Sequence, residues 1–257
     1  MLPKVKFEVK PLERYIDVMY YFLNPNKNSW NWSKGIFREY PLLQQKLNLI
    51  KVKNERNKII YEFFKEIEEK KKQKLEIKKK EFQKSWDEIN DKALKTLSEV
   101  VEIEWPKKDK IITGYVTLNP LCPRWIEQRI FDLFYKFNMK EMKLTSLHEI
   151  LHFIYFEKWK EVFPKANEKE FDGPYLAWKL SEMVPGIILS DKRIQNILEH
   201  KPPVYREYAG LEIKNKPLLN YLQGFYDNKK DFTDFLEKSQ KFIKRHEKEI
   251  DKKTGMS

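Results

Sequence analysis

The segment His148-Glu149-Ile150-Leu151-His152 combines residue types and spacing that are typical of a metal site. Residues four apart share one face of a helix, so the imidazoles of His148 and His152 can converge on one cation. Glu149 lies beside them and can reach a water molecule bound to that cation. The spacing predicts a zinc ion held by this segment. The alternative is a pair of surface histidines on an amphipathic helix.

A catalytic zinc takes three protein ligands and keeps one position open, so a third ligand must come from elsewhere in the chain. We expect Glu182, because an acid among apolar neighbours in a helix needs a positive partner. His200 is the alternative, although the helix dipole also favours a histidine at a helix end. A third choice is an acid of the charged loop between the two segments: Glu168, Glu170 or Asp172.

Attack of a zinc-activated water on a carbonyl group at such a site would also need a donor for the negative charge that develops on the carbonyl oxygen. Tyr175 is our candidate, because it precedes Glu182 by seven residues and would share its face of a helix. Tyr205 and Tyr208 are alternatives. Each of these tyrosines is also compatible with a purely structural position in the core.

Two helices are predicted to position these side chains. Apolar residues at helical spacing predict the first from Lys143 to Trp159, with Thr145 or Ser146 as its N-cap. The second should run from Tyr175 to Leu189, with a kink at Pro185-Gly186.

The remaining segments predict an α+β fold that is mostly helical. Alternating apolar residues predict a short strand at Val5–Val9 and a hairpin over Val101–Leu118, hence a small antiparallel sheet packed on the two site helices. Residues 41–100 lack internal glycine and proline and should form one long helix or a helical hairpin. Within it, the lysine and glutamate run at 65–84 predicts a long, charged, solvated helical arm. Residues 218–248 predict a further helix.

Composition narrows the class of protein. Hydrophobic residues make up 41% and aromatic residues 14%, which excludes a disordered chain even with 35% charged residues. The net charge of +12 comes mainly from lysine, which gives a diffuse positive field rather than bidentate phosphate contacts. Cys122 is the single cysteine, so no intrachain disulfide can form. Without an apolar leader or a run of about 18 apolar residues, we expect a cytoplasmic protein with no membrane partner.

The motif HEILH on one helix, followed about one loop later by a helix that bears a glutamate, resembles the gluzincin clan of metallopeptidases. The small archaeal minigluzincins are the most similar group, over roughly residues 100–190. The resemblance implies zinc binding by His148, His152 and Glu182, with Glu149 as the general base. It also implies a zincin-like catalytic domain at 101–257, after an N-terminal helical region at 1–100. The run Ile111–Leu118 would be the edge strand that pairs with an extended peptide.

One position departs from the family pattern. Many gluzincins have an aspartate four residues after the glutamate ligand, where it orients a histidine, but this chain has Gly186 there. Either Asp191 or Asp172 replaces that aspartate, or the third ligand is not Glu182.

The expected function is therefore that of a zinc-dependent endopeptidase acting on a peptide or protein substrate. It would hydrolyse peptide bonds through a metal-activated water, with Glu149 as general base. One alternative is an inactive or structural zinc protein that serves as an interaction scaffold. Another is a nucleic-acid-associated protein using the basic helical arm, which is less favoured because acids are interspersed through that arm and no base-stacking motif is present. The sequence does not define the oligomeric state.

Overall fold

A computed structural model of the chain describes residues 2–24, 32–198, 208 and 210–254. Helices predominate beside two small sheets, so the expected α+β, mostly helical class is confirmed. The α-helices are α1 Ile16–Leu23, α2 Ser33–Glu39, α3 Pro41–Leu47, α4 Lys53–Asp87, α5 Asn90–Val101, α6 Met139–Val162, α7 Leu176–Met183, α8 Pro185–Ile188, α9 Lys192–Leu198, α10 Leu218–Asp227 and α11 Phe232–Thr254. The strands are β1 Lys4–Val9, β2 Ile111–Thr117, β3 Arg124–Trp125, β4 Ile130–Phe134, β5 Glu212–Ile213 and β6 Lys216–Pro217. Within the described ranges, no helix is long and apolar enough to cross a membrane.

The chain forms two compact units, each assembled from segments that are apart in sequence. The sheet unit comprises Val5–Glu88 and Ile111–Ser146. The histidine unit comprises Met1–Lys4, Ile89–Lys110 and Leu147–Ser257. The boundaries of these units therefore differ from the division between residues 100 and 101 that the sequence predicts.

The four-stranded sheet has the order β1-β2-β4-β3. Strands β2 and β4 run parallel, with Thr113 opposite Ile130 and Thr117 opposite Phe134, whereas β3 is antiparallel to β4. The predicted antiparallel sheet is therefore wrong, because this sheet is mixed. The predicted edge strand is also wrong. Since β2 lies between β1 and β4, both of its sides are already hydrogen-bonded and no peptide can pair along it.

The predicted hairpin is wrong because its first half is the end of a helix and the loop that follows it. Val101 is the last residue of α5, and Glu102 adopts a left-handed conformation with φ 56° as the C-cap. The Trp105 indole Nε1 donates a hydrogen bond to the Leu94 carbonyl at 2.9 Å, which folds the segment back onto α5. The apolar alternation after Val101 thus comes from docking against a helix and not from strand pairing.

Helix α4 is long and charged as expected, but it is not a solvated arm. One stripe of its side chains is buried: Ile60, Phe64, Leu75, Phe82 and Trp86. Gln83 accepts a hydrogen bond from the Phe7 backbone N–H at 2.8 Å, and Glu68 accepts one from the Leu12 N–H at 2.8 Å. The opposite face carries exposed ion pairs one turn apart, such as Lys70 with Glu66. The helix therefore packs along its own unit through a narrow apolar face.

Both predicted site helices are present, with shifted ends. Helix α6 begins at Met139, so the predicted caps at Thr145 and Ser146 are wrong. Asn138 and Glu141 form a reciprocal cap instead, in which each side chain accepts a hydrogen bond from the other's backbone N–H at 2.9–3.0 Å.

Candidate metal centre

Helix α6 carries His148, Glu149 and His152 through the interior of the histidine unit. Its apolar residues from position 147 onward are buried on several sides, and they include Leu147, Ile150, Leu151, Phe153, Ile154, Tyr155, Phe156 and Trp159. The side chains of His152 and Glu149 are 1% and 5% exposed, and that of His148 is 15% exposed. These three polar groups are therefore held in a largely apolar environment, where they need polar partners.

Helix α7 brings Glu182 to the same place. The second site helix is interrupted at Val184, the C-cap of α7, directly before Pro185 starts the short helix α8. This agrees with the predicted kink. The Glu182 side chain is 7% exposed, as the argument from its apolar neighbours requires.

The three predicted metal ligands converge. The Nε2 atoms of His148 and His152 lie 3.1 Å apart. Glu182 Oε2 lies 3.8 Å from His148 Nε2, and Glu182 Oε1 lies 3.9 Å from His152 Nε2. Among the residues that the structure describes, these three form the group of histidine and acidic side chains whose donor atoms all lie within 4.8 Å of one another.

The separation of the two histidine nitrogens is compatible with binding of a first-row transition metal. Two ligands at about 2.0–2.1 Å from a tetrahedral ion lie about 3.3 Å from each other. The histidine pair, at 3.1 Å, is close to this value, whereas the Glu182 oxygens lie farther from the imidazole nitrogens, at 3.8 and 3.9 Å. Two imidazole nitrogens and one carboxylate oxygen are also a donor set that zinc accepts. The cluster could therefore hold a metal ion.

Glu149 is adjacent to the cluster without belonging to it. Its Oε1 lies 3.9 Å from His148 Nε2, and the carboxylate is almost fully buried. A carboxylate in this position can accept a proton from a water molecule at the cluster.

Aromatic residues that the sequence analysis did not single out support His152. Its ring stacks on Phe156, with centroids 6.3 Å apart and planes inclined by 23°, and Phe156 stacks on Phe171 at 4.3 Å. The only sequence signal is that Phe156 follows His152 by one helical turn. Phe171, at the end of the 3-10 helix Glu168–Phe171, has no such signal.

The acids of the charged loop, which were the alternative metal ligands, do not belong to the cluster. Glu168 pairs with Lys160 at 2.5 Å, and Glu170 accepts a hydrogen bond from the Asn167 backbone N–H at 3.1 Å as part of a capping box. Asp172 is exposed at the end of the 3-10 helix. His200 and Tyr205 lie outside the described residues.

The spacing argument for Tyr175 does not hold. Tyr175 is the N-cap of α7, with the extended backbone angles φ -67° and ψ 157°, so the helix begins only at Leu176. Its side chain is 49% exposed. A seven-residue separation places two residues on one helical face only when both belong to the helix. Tyr208, one of the alternatives, is buried.

Asp191 has partners other than a metal-bound histidine. Its carboxylate accepts hydrogen bonds from Arg193 Nε and Nη2 at 2.9 and 2.8 Å and from the Tyr226 hydroxyl at 3.2 Å. The Arg193 guanidinium lowers the pKa of Asp191 to about 2. This aspartate therefore stays ionised and accepts hydrogen bonds from Arg193 and Tyr226.

A scan against protein-family models, a search of curated proteins and a search of solved structures found no match to this chain. The case for a function therefore depends on the geometry of the site and on the resemblance of its residues to the gluzincin motif.

Proposed function

We propose that this chain is a zinc-dependent endopeptidase of the gluzincin type, in which His148, His152 and Glu182 bind the metal and Glu149 is the general base. The observation that carries the proposal is the convergence of these three side chains from α6 and α7, with the buried Glu149 carboxylate beside them. A zinc ion held there would supply Lewis acidity, which acidifies water and polarises a substrate carbonyl.

The residues of the chain have separate tasks in this proposal. His148 and His152 are fixed by one rigid helix, so their separation does not depend on a loop. Glu182 arrives from a second helix and supplies the negative charge that two neutral imidazoles lack. Glu149 takes the proton from the attacking water and then delivers it to the leaving amine.

Metal analysis tests the first claim of the proposal, that the chain binds zinc through His148 and His152. The purified chain should contain about one zinc ion, and His148→Ala and His152→Ala should each lower zinc affinity by at least about 100-fold, since each removes one of three ligands. His246→Ala is the matched control, because this histidine lies on α11 next to Glu249. Zinc content is measured by mass spectrometry and affinity by chelator competition. Full zinc occupancy in both α6 variants would end the proposal.

A further inference from the structure

The helix that carries Glu182 needs support from outside itself. Helix α7 has eight residues, and isolated helices shorter than about 12 residues are marginal in water. The position of Glu182 is therefore determined by what α7 packs against. A metal site is sensitive to such positions, because productive geometry tolerates displacements of only about 0.5 Å.

Helix α7 makes a short ion pair with another helix through Lys179, about one turn before Glu182. The Lys179 side chain is 3% exposed, and its Nζ lies 2.5 Å from Asp251 Oδ1 and 3.7 Å from Glu247 Oε1. Both acids belong to α11. A buried ammonium group is tolerated only with opposite charge beside it, so the ion pair specifies where α11 meets α7.

The two acids are arranged to receive this lysine. Glu247 and Asp251 are four residues apart, so they lie on one face of α11 and can flank a single ammonium group. They are partly exposed, at 39% and 22%, whereas Lys179 is buried. The positive charge of Lys179 is thus matched by acids of α11, which lie more than 60 residues away in sequence.

We propose that Lys179, Glu247 and Asp251 form a clamp through which α11 holds Glu182 in place to bind the metal. This inference rests on the proposed function, because it assigns a positioning role toward the metal site proposed above. Lys179 acts on the metal through the backbone of α7. It would therefore affect metal affinity and coordination geometry rather than proton transfer.

The clamp is tested by removing its charges while the apolar stem is retained. Lys179→Met keeps the length of the apolar stem and removes the ammonium group, and Asp251→Asn keeps the shape of its partner. Lys238→Met is the matched control. Lys238 lies on α11, the helix that carries Asp251, and pairs with Asp234 at 2.6 Å on its surface. Glu182→Ala is the reference for a site that lacks its third ligand. Zinc affinity is measured by chelator competition, coordination by the visible spectrum of the Co²⁺-loaded full-length protein, and folding by circular dichroism.

Lys179→Met should weaken zinc binding by about 10- to 100-fold, the range typical of groups that orient metal ligands, and Asp251→Asn by about 3- to 10-fold because Glu247 remains. The Co²⁺ spectrum of Lys179→Met should shift toward that of Glu182→Ala. Lys238→Met should stay within about 2-fold of the parent with the parental spectrum. If Lys179→Met does not fold, Asp251→Asn decides alone, because its side chain is partly exposed.

The outcomes separate the clamp from the proposed function. If Glu182→Ala loses zinc while Lys179→Met and Asp251→Asn keep the parental affinity and spectrum, the clamp is overturned and the metal site stands. Lower thermal stability with an unchanged spectrum also overturns the clamp, since the ion pair would then be merely structural. If Glu182→Ala itself keeps the parental affinity, the proposed ligand set fails and the clamp fails with it.

Discussion

In the proposed function, Glu149 is the residue that would distinguish a hydrolytic site from one that only binds metal. Its carboxylate is buried 3.9 Å from His148 Nε2, and it is not one of the three clustered ligands. Replacing it with glutamine keeps the shape of the side chain but removes its ability to accept a proton.

We therefore expect Glu149→Gln to bind zinc within about 3-fold of the parent but to lose peptidase activity on an unfolded protein such as casein by at least about 100-fold. Glu157→Gln, two turns further along α6, should keep parental activity, because its carboxylate lies 3.8 Å from Lys160 instead. Activity is measured by release of soluble peptides, and zinc by chelator competition. Parental turnover in Glu149→Gln would exclude this residue as the base.

At the same scale, local spacing was sufficient to predict three of the four polar residues of the site. His148, Glu149 and His152 follow from one helical turn, and Glu182 follows from the cost of burying an acid. Tyr175 fails this kind of argument because its backbone is extended, which no residue spacing reveals. Lys179 is likewise a charged residue among apolar neighbours, so its need for a partner is predictable from the sequence. The identity of its partners on α11 depends on tertiary packing.

At the scale of elements, the helices were more predictable than the sheet. A helical stripe repeats over many residues, whereas the strand pattern at Val101–Leu118 is short and is also produced by a helix end followed by a docked loop. The parallel pairing of β2 with β4 depends on the path of the chain between them, which includes β3. Residue alternation alone does not encode strand direction.

Gly114 of β2 lies where the four-stranded sheet packs closely against aromatic side chains. A Cβ at this position of β2 would lie 2.5 Å from Phe7 Cε1 and 2.9 Å from Phe131 Cζ. The Phe7 ring cannot easily move, because it makes edge contacts with Phe82, Trp86 and Phe131. Only a residue without a side chain therefore fits between these rings.

Gly114→Ala should lower the free energy of unfolding by about 1–3 kcal/mol, the usual cost of overpacking a core. Gly224→Ala is the control, because a Cβ there meets nothing within 4 Å and alanine favours α10. It should raise the free energy of unfolding by up to about 1 kcal/mol. Urea denaturation of both variants provides the comparison. A Gly114→Ala protein as stable as the parent would show that the rings can separate.

At the scale of the whole molecule, the sequence was informative about class but not about how segments are grouped. Composition and helical periodicity predict a mostly helical α+β protein. The two units alternate along the sequence. The segment Ile111–Ser146, from β2 through the first third of α6, belongs to the sheet unit, whereas the segments before and after it belong to the histidine unit. Such grouping is set by long-range contacts that no local pattern records. The net charge of +12 likewise indicates a positive field without naming a partner.

The pH dependence of global stability should contain a contribution from Asp191. Arg193 lowers the pKa of this carboxyl from its ordinary 3.8 to about 2 in the folded chain. A carboxyl group with a depressed folded-state pKa stabilises the protein at pH values above its unfolded pKa, and this stabilisation is lost as the pH falls through the folded pKa. The contribution should therefore be almost complete above about pH 5, mostly lost by about pH 2 and absent near pH 1.

Asp191→Asn removes this contribution, so the parent should be more stable than the variant at pH 5 to 6, and the difference should shrink between pH 4 and pH 2. Urea unfolding of both proteins is measured after the metal has been stripped with a chelator, so that acid-induced loss of metal does not contribute to the difference. Asp227→Asn is the control, because this exposed carboxylate accepts a hydrogen bond from a neutral partner, Gln223 Nε2, at 2.7 Å. A stability difference for Asp191→Asn that stays constant from pH 6 to pH 2 would show that Asp191 contributes by packing and not by its charge on Arg193.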